Sequence, residues 1–305
     1  MNTNKRLNEA YTHATPISFD KDSKFIIISD LHRGDDSLSD EFTRNQVILV
    51  AALEYYYRNG YTYIEAGDGD ELWEYKDFPV IRSAHSDVFT TIQKFFLEDR
   101  FYMIYGNHNI YLKNPEYVKQ NYYYFYNEYH GRKEKLFYGL KPVEAIKLQE
   151  KHTNNEILIV HGHQGDLAND QLWFPTMLSL RYFWRYFHLV GLQNPASPAK
   201  NQMKQHKIER IYDYWIRTHD IMLICGHTHR LKFPLPGQTP YFNSGCCIHT
   251  KGITGLEIIN GQILLIQWRL KAKEDGSLTI IRHIMRKPQN IADYFSSNKT
   301  QKGSS

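Results

Sequence analysis

The sequence predicts an α/β fold in which two mixed β-sheets pack face to face, with helices on their outer sides. Three observations support this. Short runs of apolar, β-branched or aromatic residues recur along the chain, as buried strands do. Helical patterns separate the first three runs, and tight-turn residues join two later pairs.

Residues 1–24 are polar and form an N-terminal segment without the apolar stretch of a secretion signal, so the domain is expected over 25–287. The first strand is Phe25 to Ser29, leading into DLHRGD. Ser39 or Asp40 can cap a helix carrying Phe42, Val47, Ile48, Ala51 and Leu53, with Gly60 just past its end. Tyr61 to Ala66 is the second strand and leads into GDGDE. Ser86 can cap a helix through Phe89, Ile92, Phe95 and Phe96, before a third strand, Phe101 to Tyr105, that ends in GNHN. Val143 to Gln149 and Glu156 to Val160 flank Asn154-Asn155 as a hairpin, and the second of them leads into HGHQGD. Ile221 to Cys225 runs into GHTH. Gly255 to Ile259, Asn260-Gly261 and Gln262 to Leu270 form another hairpin, because Asn-Gly suits a two-residue turn. Leu278 to Met285 follows Asp275-Gly276, and residues 288–305 read as a frayed polar tail.

Residues 166–220 are longer than a connection requires and predict a helical lid insertion. Arg181, Arg185 and His188 fall on one helical face among Phe183, Trp184 and Phe187, and Ile208, Ile211, Tyr212 and Trp215 follow after a proline break.

The 305 residues are 42% hydrophobic and 23% charged, which is a globular composition. A formal charge of +4, with no clustered basic stretch, argues against a nucleic-acid partner. Three cysteines make no disulfide framework and read as buried thiols, which favours the cytoplasm. No uncharged run reaches the ~18 residues that span a bilayer, so membrane contact is expected at most peripherally, through the lid. No obligate protein partner is inferred.

Each of the five polar motifs directly follows a strand, and ligands gather at the carboxyl ends of strands in such sheets. The motifs offer Asp30, His32, Asp68, Asn107, His161, His227 and His229. Asp30-x-His32 and His227-x-His229 place paired side chains on one side of an extended segment. Mixed imidazole and carboxylate ligation suits Mn, Fe, Zn or Co, whereas Ca and Mg prefer oxygen shells.

In order, these motifs resemble the calcineurin-like binuclear metallophosphoesterases, whose pattern is Asp-x-His, Gly-Asp, Gly-Asn-His-Asp/Glu, His and Gly-His-x-His. The likeness spans about residues 25 to 250. It implies a two-sheet sandwich holding two divalent transition-metal ions, with Mn the first choice. Asp30, His32 and His229 would hold one ion, Asn107, His161 and His227 the other, and Asp68 would bridge them. His161, directly after its strand, matches the family position better than His163, which would support a ligand or touch substrate. His108 would protonate the leaving oxygen or steady the phosphate charge. Arg33, Arg181 and Arg185 are candidates for holding substrate phosphate. One departure is Asn109, where the family has an acid that could orient His108; Asn brings no charge.

The implied activity is metal-dependent hydrolysis of a phosphodiester or pyrophosphate bond in a small phosphate-containing substrate. The helical insertion between HGHQGD and GHTHR also resembles the bacterial UDP-2,3-diacylglucosamine pyrophosphohydrolases, whose GN motif continues with Arg where this chain has His108. A nucleotide- or lipid-linked substrate would follow. Two alternatives share the fold: a Ser/Thr-type protein phosphatase, although GDGDELWE lacks the arginine such enzymes carry there, and a non-catalytic scaffold, although no ligand is missing.

Overall fold

A computed structural model describes residues 3–166, 169–170, 172–179, 181–182 and 202–295, with only the backbone given for 202–209. The chain begins with helix α1 (Thr3–Thr12) and strand β1 (Thr15–Phe19). Strand β2 (Phe25–Ile28), helix α2 (Gln46–Arg58), strand β3 (Thr62–Ala66), helices α3 (Phe78–Ala84) and α4 (Ser86–Leu97) and strand β4 (Phe101–Ile104) complete the alternating part. Helix α5 (Pro115–Asn121) precedes a small hairpin of β5 (Tyr124–Asn127) and β6 (Arg132–Lys135). Then come β7 (Ala145–Glu150), β8 (Glu156–Val160), helices α6 (Trp173–Ser179) and α7 (Gln202–His219), β9 (Met222–Cys225) and β10 (Tyr241–Asn243). The last strands are β11 (Ile253–Ile259), β12 (Gln262–Ala272) and β13 (Leu278–Asn290).

One sheet has the order β13-β12-β11-β2-β3-β4 and the other β1-β7-β8-β9-β10. Both are mixed, as expected. Strands β2, β3 and β4 run parallel, while β11 to β13 pair antiparallel. The period-two alternation of a strand explains the layering. Phe25 and Ile27 face the other sheet, packing with Ile64, Ile104, Ile157, Ile159, Met222 and Ile224. Ile26 and Ile28 face outward onto Leu49, Leu53, Phe89, Ile92 and Phe95 of α2 and α4. On the far side, Leu7 and Ala10 of α1 and Tyr212, Trp215 and Ile216 of α7 cover Leu158, Val160 and Leu223. The order is helix, sheet, sheet, helix.

Several expectations need correction. Residues 1–24 are not an appendage: β1 pairs parallel with β7 along Thr15 to Phe19 as an edge strand, and α1 packs against the sheet. The chain after Pro288 continues β13 to Asn290 and closes with a helical turn over residues 291–295, whose Ile291, Tyr294 and Phe295 are buried. Neither Ser39 nor Asp40 caps a helix. The Asp40 carboxylate accepts the N–H groups of Gly34, Asp36 and Phe42 and meets His85 Nε2 at 2.8 Å, and α2 starts only after a 3₁₀ turn over Thr43–Asn45. The cap of α4 is His85, one residue before Ser86. The Asn260-Gly261 turn is as read, with φ of 54° and 69°. All three cysteines are free and buried. No helix among the described residues is long and apolar enough to cross a membrane.

Candidate metal centre

The carboxyl ends of β2, β3 and β4 from one sheet meet those of β8 and β9 from the other. Their loops are tied together through the main chain. Asp30 donates its N–H to Gly67 O, His32 to Asp68 O and Gly226 to His161 O, all at 2.9 to 3.0 Å. Asp30, His32, Asp68, His227 and His229 all have φ between 50° and 65°, a left-handed backbone that costs a non-glycine residue on the order of 1–3 kcal/mol. Such a cluster marks a place where geometry is fixed for use. It also corrects the reading of the two paired motifs: Asp30 and His32 converge through left-handed turns beyond the strand end, not by strand alternation.

Glycines in the motifs leave room for the ligands. A Cβ on Gly106 would sit 2.1 Å from Asp68 Oδ1, and one on Gly67, itself at φ 91°, 2.4 Å from the His161 ring.

Apart from Asn107, the sequence-predicted ligands form two groups, and His32, Glu71 and His108 make a third beside them. Asp30, His32 and His229 bring their ligand atoms together, as do Asp68, His161 and His227. In the first, His229 Nε2 lies 3.1 Å from Asp30 Oδ1 and 3.3 Å from His32 Nε2. In the second, His161 Nε2 lies 2.9 Å from Asp68 Oδ2 without hydrogen-bonding alignment. The same Asp68 oxygen is 4.0 Å from His32 Nε2, so it stands between the groups. Both carboxylates are buried. Burial pushes Asp68 up, but the imidazoles of His161 and His108 outweigh it and hold the carboxyl well below its usual range.

The donor set fits two divalent cations. His161 Nε2, His227 Nε2 and both amide atoms of Asn107 are buried and lack hydrogen-bond partners. Buried polar atoms rarely go unpaired, and imidazole nitrogens gathered with a carboxylate, as His161 and His227 are with Asp68, are what a cation satisfies. The outward nitrogens are fixed: His161 Nδ1 meets Ala66 O at 3.1 Å, and His32 Nδ1 meets Glu71 Oε2 at 2.7 Å, leaving each Nε2 for a metal.

Glu71 was missed in the sequence, although it ends the acidic string GDGDE. Its carboxylate also meets His108 Nδ1 at 2.8 Å, and Trp73 stacks on the His108 ring at 4.4 Å. Glu71 thus supplies the orienting charge that Asn109 cannot. Asn109 turns away and accepts the Gly106 N–H through Oδ1. Burial opposes ionisation of Glu71, yet His108 and His32 bring it down to about 2. His108 in turn rises to about 9, as Glu71 and Asp68 overcome its burial.

The arginines need correction. Arg33 is fully buried and turned away from the metal ligands, its guanidinium paired with Glu65 at 2.8 Å and with Asp70 at 2.7 Å. It braces the loops and has no surface to offer a phosphate. Arg181 donates to the carbonyls of Leu72 and Trp73 at 2.8 and 2.9 Å, so it fastens the insertion to the GDGDELWE loop. Met177 of α6 packs on Trp73 at the same place. Arg185, with Phe183, Trp184, Phe187 and His188, lies outside the described residues. His163 is buried beside His161 but belongs to neither group of ligand atoms.

The family model described as calcineurin-like phosphoesterase matches residues 23–231. No curated protein matches the sequence. Among solved structures, a point mutant of a cold-active protein tyrosine phosphatase is 13% identical with a TM-score of 0.41, covering 90% of this chain and 83% of its own. Zinc-complexed Vps29 from Entamoeba histolytica is 15% identical at TM-score 0.34, covering 86% and 99%. A novel archaeal phosphodiesterase is 16% identical at 0.32, covering 85% and 99%.

Proposed function

This chain belongs to the calcineurin-like phosphoesterases, and on that premise we propose that it is a binuclear metal-dependent hydrolase of a phosphodiester or pyrophosphate bond in a small molecule. One observation carries the reading: a single Asp68 oxygen lies 2.9 Å from His161 Nε2 of one group and 4.0 Å from His32 Nε2 of the other, while the buried His161 Nε2 and both amide atoms of Asn107 lack hydrogen-bond partners. Two divalent transition-metal ions, Mn by preference, would sit on Asp30, His32, Asp68 and His229 and on Asp68, Asn107, His161 and His227. Bound there, they supply a nucleophile from water at neutral pH and neutralise phosphate charge.

The chain's own residues do the rest. Asp68 sets the separation of the two groups, and its Oδ1 accepts the His108 N–H at 2.9 Å, so the bridging carboxylate and the loop bearing Asn107 and His108 hold one another in register. Glu71 fixes the His108 Nδ1 side and Trp73 fixes the ring plane, which leaves Nε2 to meet a phosphate or leaving-group oxygen. The insertion packs over Trp73 at this edge and so supports the His108 ring from behind Trp73. Hydrolysis of bis-p-nitrophenyl phosphate, with and without added Mn²⁺, is the test. Mn²⁺-dependent release of nitrophenol, lost in His161→Ala, is expected. No release with any of Mn²⁺, Fe²⁺, Zn²⁺ or Co²⁺ would reject the enzymatic reading.

A further inference from the structure

A cavity of about 300 Å³ opens beside the metal centre, walled by the aromatic Tyr105, Tyr111 and Trp173, by Ile110, and by the polar Arg6, Lys113, Asn114, His163 and Asp170. It adjoins the ligands along the chain: Tyr105 is two residues before Asn107, and His163 two after His161. Tyr111 and Trp173 meet at 87° with centroids 5.8 Å apart, so they form an aromatic corner, and Tyr117 backs the Tyr111 ring at 5.5 Å. His163 is 1% exposed, and neither of its ring nitrogens has a hydrogen-bond partner. Lys113 is exposed at the rim.

We propose that this cavity holds a planar, hydrogen-bonding heterocycle of the nucleobase class, carried on the phosphoester that the metal centre receives. The inference rests on the phosphoesterase reading. Three features select this class. The aromatic corner offers one face for stacking and one edge, which suits a flat ring. The His163 nitrogens need a polar partner, and an acyl chain in the cavity would seal them under hydrocarbon with none. Arg6 and Asp170 in the wall pair with each other at 3.0 Å, so the Lys113 ammonium at the mouth is left to favour an anionic ligand entering from that side. His163 is then a specificity residue, meeting the ring edge after rotation about its terminal side-chain torsion.

Binding separates the cavity from the chemistry. Titration calorimetry on the Mn²⁺-loaded protein compares thymidine 5′-monophosphate with 2-deoxyribose 5-phosphate, which lacks only the base. The base should improve affinity about tenfold or more, the scale of one hydrogen bond with stacking. His163→Leu and Tyr111→Ala should each erase most of that difference and leave 2-deoxyribose 5-phosphate unchanged. Lys113→Ala, at an exposed site that cannot disturb the fold, should weaken both ligands. Equilibrium dialysis with thymidine alone, which needs no phosphate site, should show binding that His163→Leu loses. Equal affinities for the two phosphates, or a base preference that survives both substitutions, overturns the pocket. If bis-p-nitrophenyl phosphate is still hydrolysed, that failure leaves the phosphoesterase reading standing; thymidine binding without any turnover is the converse.

Discussion

Asp68 is the side chain that stands between the two groups of candidate ligand atoms. On the binuclear reading, Asp68→Asn should cut turnover by at least ~10²-fold, the scale of losing one electrostatic stabiliser, while circular dichroism stays native. His161→Ala should do the same, whereas His163→Ala should keep its metal content; a metal-free His163→Ala would reverse the assignment. Glu71 acts through His108 and His32, so Glu71→Gln should lower kcat about tenfold or more with little change in KM. Glu71→Asp should recover part of the loss, and equal activity in Glu71→Gln would remove its positioning role. Six of the seven candidate ligands fall in the two groups, and all seven could be picked out because each stands within four residues of a strand end in a short polar motif. Glu71 and Arg33 were not, because which way a side chain turns beyond a strand end depends on local φ values. Asp30 and His32 turn to the centre from left-handed backbone, while Arg33 beside them turns inward to Glu65 and Asp70.

At the scale of elements, the loops after β2 and β3 are locked by the buried Arg33, Glu65 and Asp70 cluster, which Tyr63 and Tyr122 complete through hydrogen bonds of 2.9 and 2.7 Å. Removing the guanidinium leaves two buried carboxylates unpaired. Arg33→Met should therefore destabilise the protein by roughly 3–5 kcal/mol, measured as a lower urea midpoint. Arg33→Lys keeps the charge and should cost less, but it cannot reproduce the bidentate contact with Glu65. A midpoint unchanged in Arg33→Met would mean that the cluster does not hold the loops. The central strands were legible as short apolar runs, and the two hairpins from their turn residues. Strand β1 was not, because an edge strand with alternating exposure, TPISF, carries no buried run. The polar helix α1 hides its inward stripe in only Thr3, Leu7 and Ala10.

The whole molecule brings two sheets together so that loops distant in sequence share one cluster of candidate metal ligands. The family and the layered sandwich could be read from motif order; the strand order could not, since it rests on pairings such as β11 with β2, more than 200 residues apart. If the centre binds its ions only in the folded state, they stabilise that state by mass action, about 2.7 kcal/mol when free metal is a hundredfold above Kd. Chelation should lower Tm by several degrees and Mn²⁺ should restore it, with neither effect in Asp68→Asn. Metal content itself tests the central claim most directly. Elemental analysis of protein purified without chelator should give about two transition-metal ions per chain, falling sharply in Asp68→Asn. Less than half an equivalent in the native protein, with no gain on adding Mn²⁺, would contradict a binuclear centre.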